Sequence, residues 1–276
     1  MKFFLALLTV TFATVSFGQI SKEEREVVKE GTLLYRTEMA SWHGTDIFLE
    51  GLSDKRQDVG GYFSYLLGDK SICVFFSKSR KPRVIATIAF DSTYNTETAI
   101  VDGNLRDFTD FETNLWLLRQ AALARYETDT LFKSYRDMNP NFIPLSDEKG
   151  KRVYVLTGTS KHGIVVFGND YLLTFSKNNR VKDVRRLHKN IIVIPYGTEN
   201  GDSIAGAMHN HSPETGNLIT ATDICTLMLY SGFAKWKQHV VISEKSVSIW
   251  DCEKNRLVVV DRKAFDKSNK DQKGTE

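Results

Sequence analysis

Ala207-Met208-His209-Asn210-His211-Ser212-Pro213, followed by Thr220-Ala221-Thr222-Asp223, is the stretch on which the reading of this chain turns. Along an extended strand, residues two apart point to the same face. His209 and His211 therefore present both imidazoles to one side and leave Asn210 on the other. Neutral imidazole suits zinc, and Asp223, in the first turn of a helix beginning near Thr220, supplies a carboxylate oxygen as a third donor. Three protein donors leave the fourth tetrahedral position to water, the open arrangement that catalysis requires. The run Thr220 to Asp223 is also a helix-capping pattern. Capping alone accounts for those two residues and leaves the histidine pair unexplained.

Working outward, Thr220 to Tyr230 reads as a helix, and Val240 to Ile242, Val247 to Asp251 and Leu257 to Val260 as closing strands. Upstream lies a dense strand series at Val153 to Thr157, Gly163 to Phe167, Tyr171 to Phe175, Asn190 to Pro195 and Ile204 to His209. Asn139-Pro140-Asn141 and Pro144 to Gly150 form the longest turn-rich stretch, which suits a domain boundary between residues 146 and 147 and equally two lobes sharing one core. Before it, Ser21 and Glu24 make a capping box for a helix that Gly31 is expected to end. Strands are expected at Leu33 to Arg36, Ile72 to Phe76, Val84 to Phe90 and Thr96 to Val101. A helix is expected from Phe108 to Tyr126, where Phe111, Leu115, Leu118, Ala122 and Tyr126 recur at helical spacing. The fold class is α+β, with a mixed, largely antiparallel sheet and flanking helices.

His209-Asn210-His211 and Thr220-Ala221-Thr222-Asp223 resemble the signature of the JAMM (MPN-domain) metalloenzymes, His-x-His, then Pro, a spacer, and Ser-x-x-Asp. Ser160-Lys161-His162-Gly163-Ile164-Val165-Val166-Phe167-Gly168 looks like that family's glycine-flanked strand, and the similarity spans roughly Lys151 to Val260. The resemblance implies a domain over residues 147–265 that binds zinc through His209, His211 and Asp223. It also implies hydrolysis of an amide or isopeptide bond in a peptide or protein substrate, with Thr220 stabilising the oxyanion. The chain departs from the family in three places: Ser212 separates His211 from Pro213, Thr220 stands where the family has Ser, and the family's general-base Glu is missing. His162 is the nearest replacement, as base or as a further metal ligand, with Glu148 or a Glu of the first lobe such as Glu38 as alternatives. Without a base, the same fold reads as a non-catalytic binding or scaffold protein, the His pair serving a structural metal or packing.

The ends of the chain bear on location. Lys2, the apolar run from Phe3 to Val15 and Ser16-Phe17-Gly18 have the order of a signal peptide over residues 1–18, which implies secretion or a periplasmic destination. The apolar run is too short to be a stable membrane anchor. Residues 19–146 then form an N-terminal α+β lobe without a motif, and residues 266–276, poor in apolar side chains, are expected to be a disordered tail. A net charge of +3 with interleaved signs gives no reason to expect a nucleic-acid partner. Three cysteines are too few for a disulfide framework: Cys225 lies in an apolar helical pattern, and an oxidising compartment leaves a Cys73–Cys252 bridge open.

Overall fold

The computed structural model describes residues 20–196 and 205–273; the expected signal peptide lies outside them, as do residues 197–204. Helix α1 (Lys22–Gly51) begins with the expected capping box, the Ser21 hydroxyl accepting from the Glu24 amide and the Glu24 carboxylate accepting from the Ser21 amide. It runs through Gly31 and through Leu33 to Arg36, where a helix end and a strand were expected. The buried positions Gly31, Leu34, Thr37, Ala40, Gly44 and Phe48 keep helical spacing, which a strand cannot bury on one face. Gly31 marks a close approach instead of an end, because a Cβ there would lie 2.6 Å from the Ile224 side chain.

After a 3-10 turn (Ser53–Asp58), four antiparallel strands follow in spatial order β1 (Val59–Leu67), β2 (Lys70–Ser77), β3 (Val84–Phe90) and β4 (Ile100–Asp102). The last is shorter than the expected strand from Thr96. Helix α2 (Asp110–Thr128) has its own capping box from Thr109 and Glu112 and buries Leu115, Leu118 and Ala122. Next comes the hairpin β5 (Met138–Asp147) and β6 (Gly150–Thr159), paired from Met138–Thr159 to Asp147–Gly150. This ladder carries Asn139-Pro140-Asn141 within a strand, so the expected boundary at residues 146 and 147 is a tight turn inside one sheet.

Strands β7 (Ile164–Gly168), β8 (Tyr171–Phe175), β9 (Val181–Arg186) and β10 (Ile191–Pro195) complete two antiparallel sheets, ordered β5-β6-β8-β9 and β10-β7. A fourth sheet, of four strands, is formed by β11 (Gly206–Asn210), β12 (Gln238–Ile242), β13 (Ser246–Asp251) and β14 (Arg256–Asp261). In it β11 and β12 are parallel, joined by helix α3 (Ala221–Ala234). Helix α4 (Arg262–Lys273) occupies most of the expected disordered tail; Asp261 accepts from the Lys263 and Ala264 amides and so caps it. Helices and largely antiparallel sheets make the fold α+β, as the sequence implies.

Helix α3 lies against α1, with Ile224 and Leu227 in a core shared with Val165, Phe167, Val241 and Trp250. An ion-pair network, buried at Arg152 and Glu30, ties α1 to the β5–β6 hairpin: Arg152 Nε donates to Glu30 Oε1 at 2.7 Å, and its Nη1 and Nη2 donate to Asp147 at 2.6 and 2.8 Å. Cys73, Cys225 and Cys252 are all free thiols. Among the described residues no helix is long and apolar enough to cross a membrane.

Candidate metal centre

The parallel pair β11 and β12 sets the first two donors. His209 is buried in β11 while its neighbours Met208 and Asn210 are exposed, and the His211 amide continues the ladder by donating to Ile242 O at 2.8 Å. Both imidazoles therefore reach the same buried side, as the two-residue spacing requires. The α3 cap sets the third donor. Thr220 Oγ1 accepts from the Asp223 amide at 3.1 Å, and Asp223 Oδ2 accepts from the Thr220 amide at 2.9 Å and from Thr220 Oγ1 at 2.7 Å. Capping and donation thus coexist in one carboxylate: Oδ2 is held by the cap while Oδ1 is buried without a hydrogen bond.

The fourth donor is His188, between β9 and β10, which no spacing in the sequence marks. Its Nε2 lies 3.1 Å from His211 Nε2 and 3.3 Å from Asp223 Oδ1. His209 Nε2 lies 3.1 Å from His211 Nε2 and 3.7 Å from Asp223 Oδ1, and His211 Nε2 lies 3.2 Å from Asp223 Oδ2. The donor atoms of the four residues all fall within 4.8 Å of one another. A tetrahedron with metal–nitrogen bonds of about 2.0–2.1 Å has edges of roughly 3.3 Å, near the five separations of 3.1–3.7 Å, which engage both oxygens of Asp223. His211 Nε2 carries either one proton or one lone pair, yet it has three polar neighbours near 3.1 Å. They cannot all be hydrogen bonds. A cation among them satisfies every lone pair at once.

A second layer fixes the rings. His188 Nδ1 donates to Asp170 Oδ1 at 2.8 Å, and Thr222 Oγ1 donates to the other oxygen of that buried carboxylate. In the neutral ring this leaves the Nε2 lone pair facing inward, the carboxylate–histidine arrangement that supports bound metals, and a cation there would displace the second proton. His209 Nδ1 lies 2.8 Å from Nε2 of the buried His239, whose ring stacks on Phe167 at 4.9 Å. Burial pushes His209 down to about 4 and His239 down to about 3, with neighbouring imidazoles adding to both shifts. Against burial, the Asp223 and Asp170 carboxylates hold His188 well above the usual histidine range. Asp223 is likewise held well below the carboxylate range, since burial is outweighed by His188 and His209.

His209, His211 and Asp223 are thus brought together as the sequence reading expects, and Thr220 bonds to Asp223 instead of standing alone over an open site. His162 contributes no donor to the cluster; it lies exposed in the turn before β7. The cluster sits at the other end of that strand, where a Cβ on Gly168 would be 3.2 Å from the His188 side chain, so ~13 Å of strand intervenes. Neither alternative base joins the cluster: Glu148 is exposed and paired with Lys29 at 3.2 Å, and Glu38 accepts from the Asn141 amide. Beside Asp170, Thr222 and Asp223 is a cavity of about 10 Å³, room for a single water.

The signal for His188 was weak: a Leu-His pair in a run of charged residues, Arg185-Arg186-Leu187-His188-Lys189, with both members of the pair buried. Comparison of the chain with family models, with curated proteins and with solved structures finds no match.

Proposed function

We propose that His188, His209, His211 and Asp223 hold one divalent transition metal, zinc by donor chemistry, as a closed four-ligand centre in a secreted, non-catalytic binding protein. The observation that carries this reading is the fourth donor. Three imidazoles and a carboxylate would give a metal four protein ligands, the coordination number of structural zinc sites, whereas catalytic sites keep one position for water. Charge supports a divalent ion: the buried carboxylates Asp170 and Asp223 bring two negative charges and the imidazoles, when neutral, none, so a dication leaves the pocket neutral. The donors come from the segment after β9, from the end of β11 and from the first turn of α3, so a bound ion ties the β5-β6-β8-β9 sheet to the β11–β14 sheet.

A second reading is the zinc-dependent hydrolase of amide or isopeptide bonds that the JAMM resemblance implies. It is supported by the His-x-His strand feeding a helix capped by Thr220 and Asp223, and by the one-water cavity beside Asp223. Cobalt substitution separates the two. A closed centre gives a tetrahedral cobalt spectrum that added acetohydroxamate leaves unchanged. A shift of that spectrum by the chelating inhibitor would instead reveal an open position and favour the hydrolase.

A further inference from the structure

A groove of about 410 Å³ opens between the first turns of α1, the β5–β6 turn, β9 and residues 214–221. Its volume is that of a small-ligand site. The walls differ in charge. Helix α1 lines one side with Glu23 and Glu26, and the edge strand β9 lines another with Arg185 and Arg186. Deeper in, the charges cancel internally: Lys149 pairs with Glu26 at 2.7 Å and with Glu30 at 3.0 Å, and Arg152 pairs with Glu30 and Asp147. Glu23 and Arg185 are exposed, and neither has an ion-pair partner among the described residues. Val27 and Leu218, both half-buried, give the groove apolar contact surface between these walls.

A ligand with one charge only would meet an unfavourable wall wherever it turned. An extended ligand with an anionic and a cationic end satisfies both walls and lays its middle on the apolar surface. We propose that the groove binds a short peptide with free ends, its carboxylate on Arg185 and Arg186 and its ammonium on Glu23, beside the Glu26–Lys149 pair. Arginine's planar fork suits the carboxylate end. The site is independent of the metal donors. It does abut them, since Leu187 and Thr220 line the groove while His188 and Asp223 stand behind.

Calorimetric titration of the purified chain with the tripeptide Ala-Leu-Ala, its N-acetylated form and its C-amidated form tests the proposal. The expected result is saturable binding of the free-ended peptide, weakened about tenfold by either cap and about fivefold by Arg185→Glu or Glu23→Lys, both on the surface, at unchanged thermal stability. No binding up to about 10 mM, equal binding of the capped peptides, or wild-type affinity in both variants would overturn it. Elemental analysis of the same samples reports separately on the metal centre, because no groove variant touches a donor.

Discussion

Replacing Asp170 by Asn keeps the shape of the group that anchors His188 Nδ1 and removes its charge. The expected result is a 10- to 100-fold loss of zinc affinity by competitive chelator titration, the usual range for a carboxylate behind a ligating histidine. A variant binding like wild type would show that His188 is not oriented through Asp170. His162→Ala is expected to leave metal content and stability unchanged, since that ring is exposed and far from the donors. At this scale the sequence was legible where local geometry repeats: two residues along a strand for His209 and His211, and the first turn of a helix for Asp223. His188 and His239 were not legible. Each is a lone histidine in its segment, and only the packing of β9, β11 and β12 brings them to the site.

Helix α3 carries a donor in its first turn and is set in place by α1. Gly31→Ala would put a methyl group 2.6 Å from Ile224 and 3.0 Å from Ala221 O, so α3 must shift. We expect a loss of ~1–3 kcal/mol in urea unfolding, as overpacking of this kind costs, together with weaker zinc retention. An unchanged midpoint would mean that the helices separate freely. The misreadings of elements have the same origin. Leu33 to Arg36 has the composition of a strand, and Gly31 looks like a stop, but the buried period of α1 and its close approach to α3 are long-range properties. Strand β9, Val-Lys-Asp-Val-Arg-Arg, escaped notice because an edge strand exposes charged side chains. By contrast β3, α2 and β8 stood out through apolar runs and periodicity that local sequence alone sets.

Across the whole molecule, Glu38 links α1 to β5 through Asn141, with Tyr62, Cys73, Cys225 and Tyr230 close enough to feel its charge. Burial raises its pKa from 4.5 to about 7. Within that window the folded chain holds a proton that the unfolded chain has released. The contribution of Glu38 to stability is therefore full below the lower value and falls as pH rises toward the upper one, by up to about 3 kcal/mol. Glu38→Gln should flatten this slope and stabilise the protein at pH 8 by ~1–3 kcal/mol, and an unaltered pH profile would contradict the assignment. The fold class was legible from the mixture of periodicities, whereas the joining of lobes through the β5–β6 hairpin was hidden by its Asn-Pro-Asn segment. Holding the β5-β6-β8-β9 and β11–β14 sheets together is the work assigned to the metal. Chelation should therefore lower the unfolding midpoint by about 10 °C, as loss of ~3–4 kcal/mol of binding energy does in a chain of this size. The most direct test is elemental analysis of the purified chain beside His188→Ala. The account expects about one zinc per wild-type chain and its loss from the variant, whereas folded wild type without metal, or a variant that keeps its zinc, would contradict the four-ligand centre.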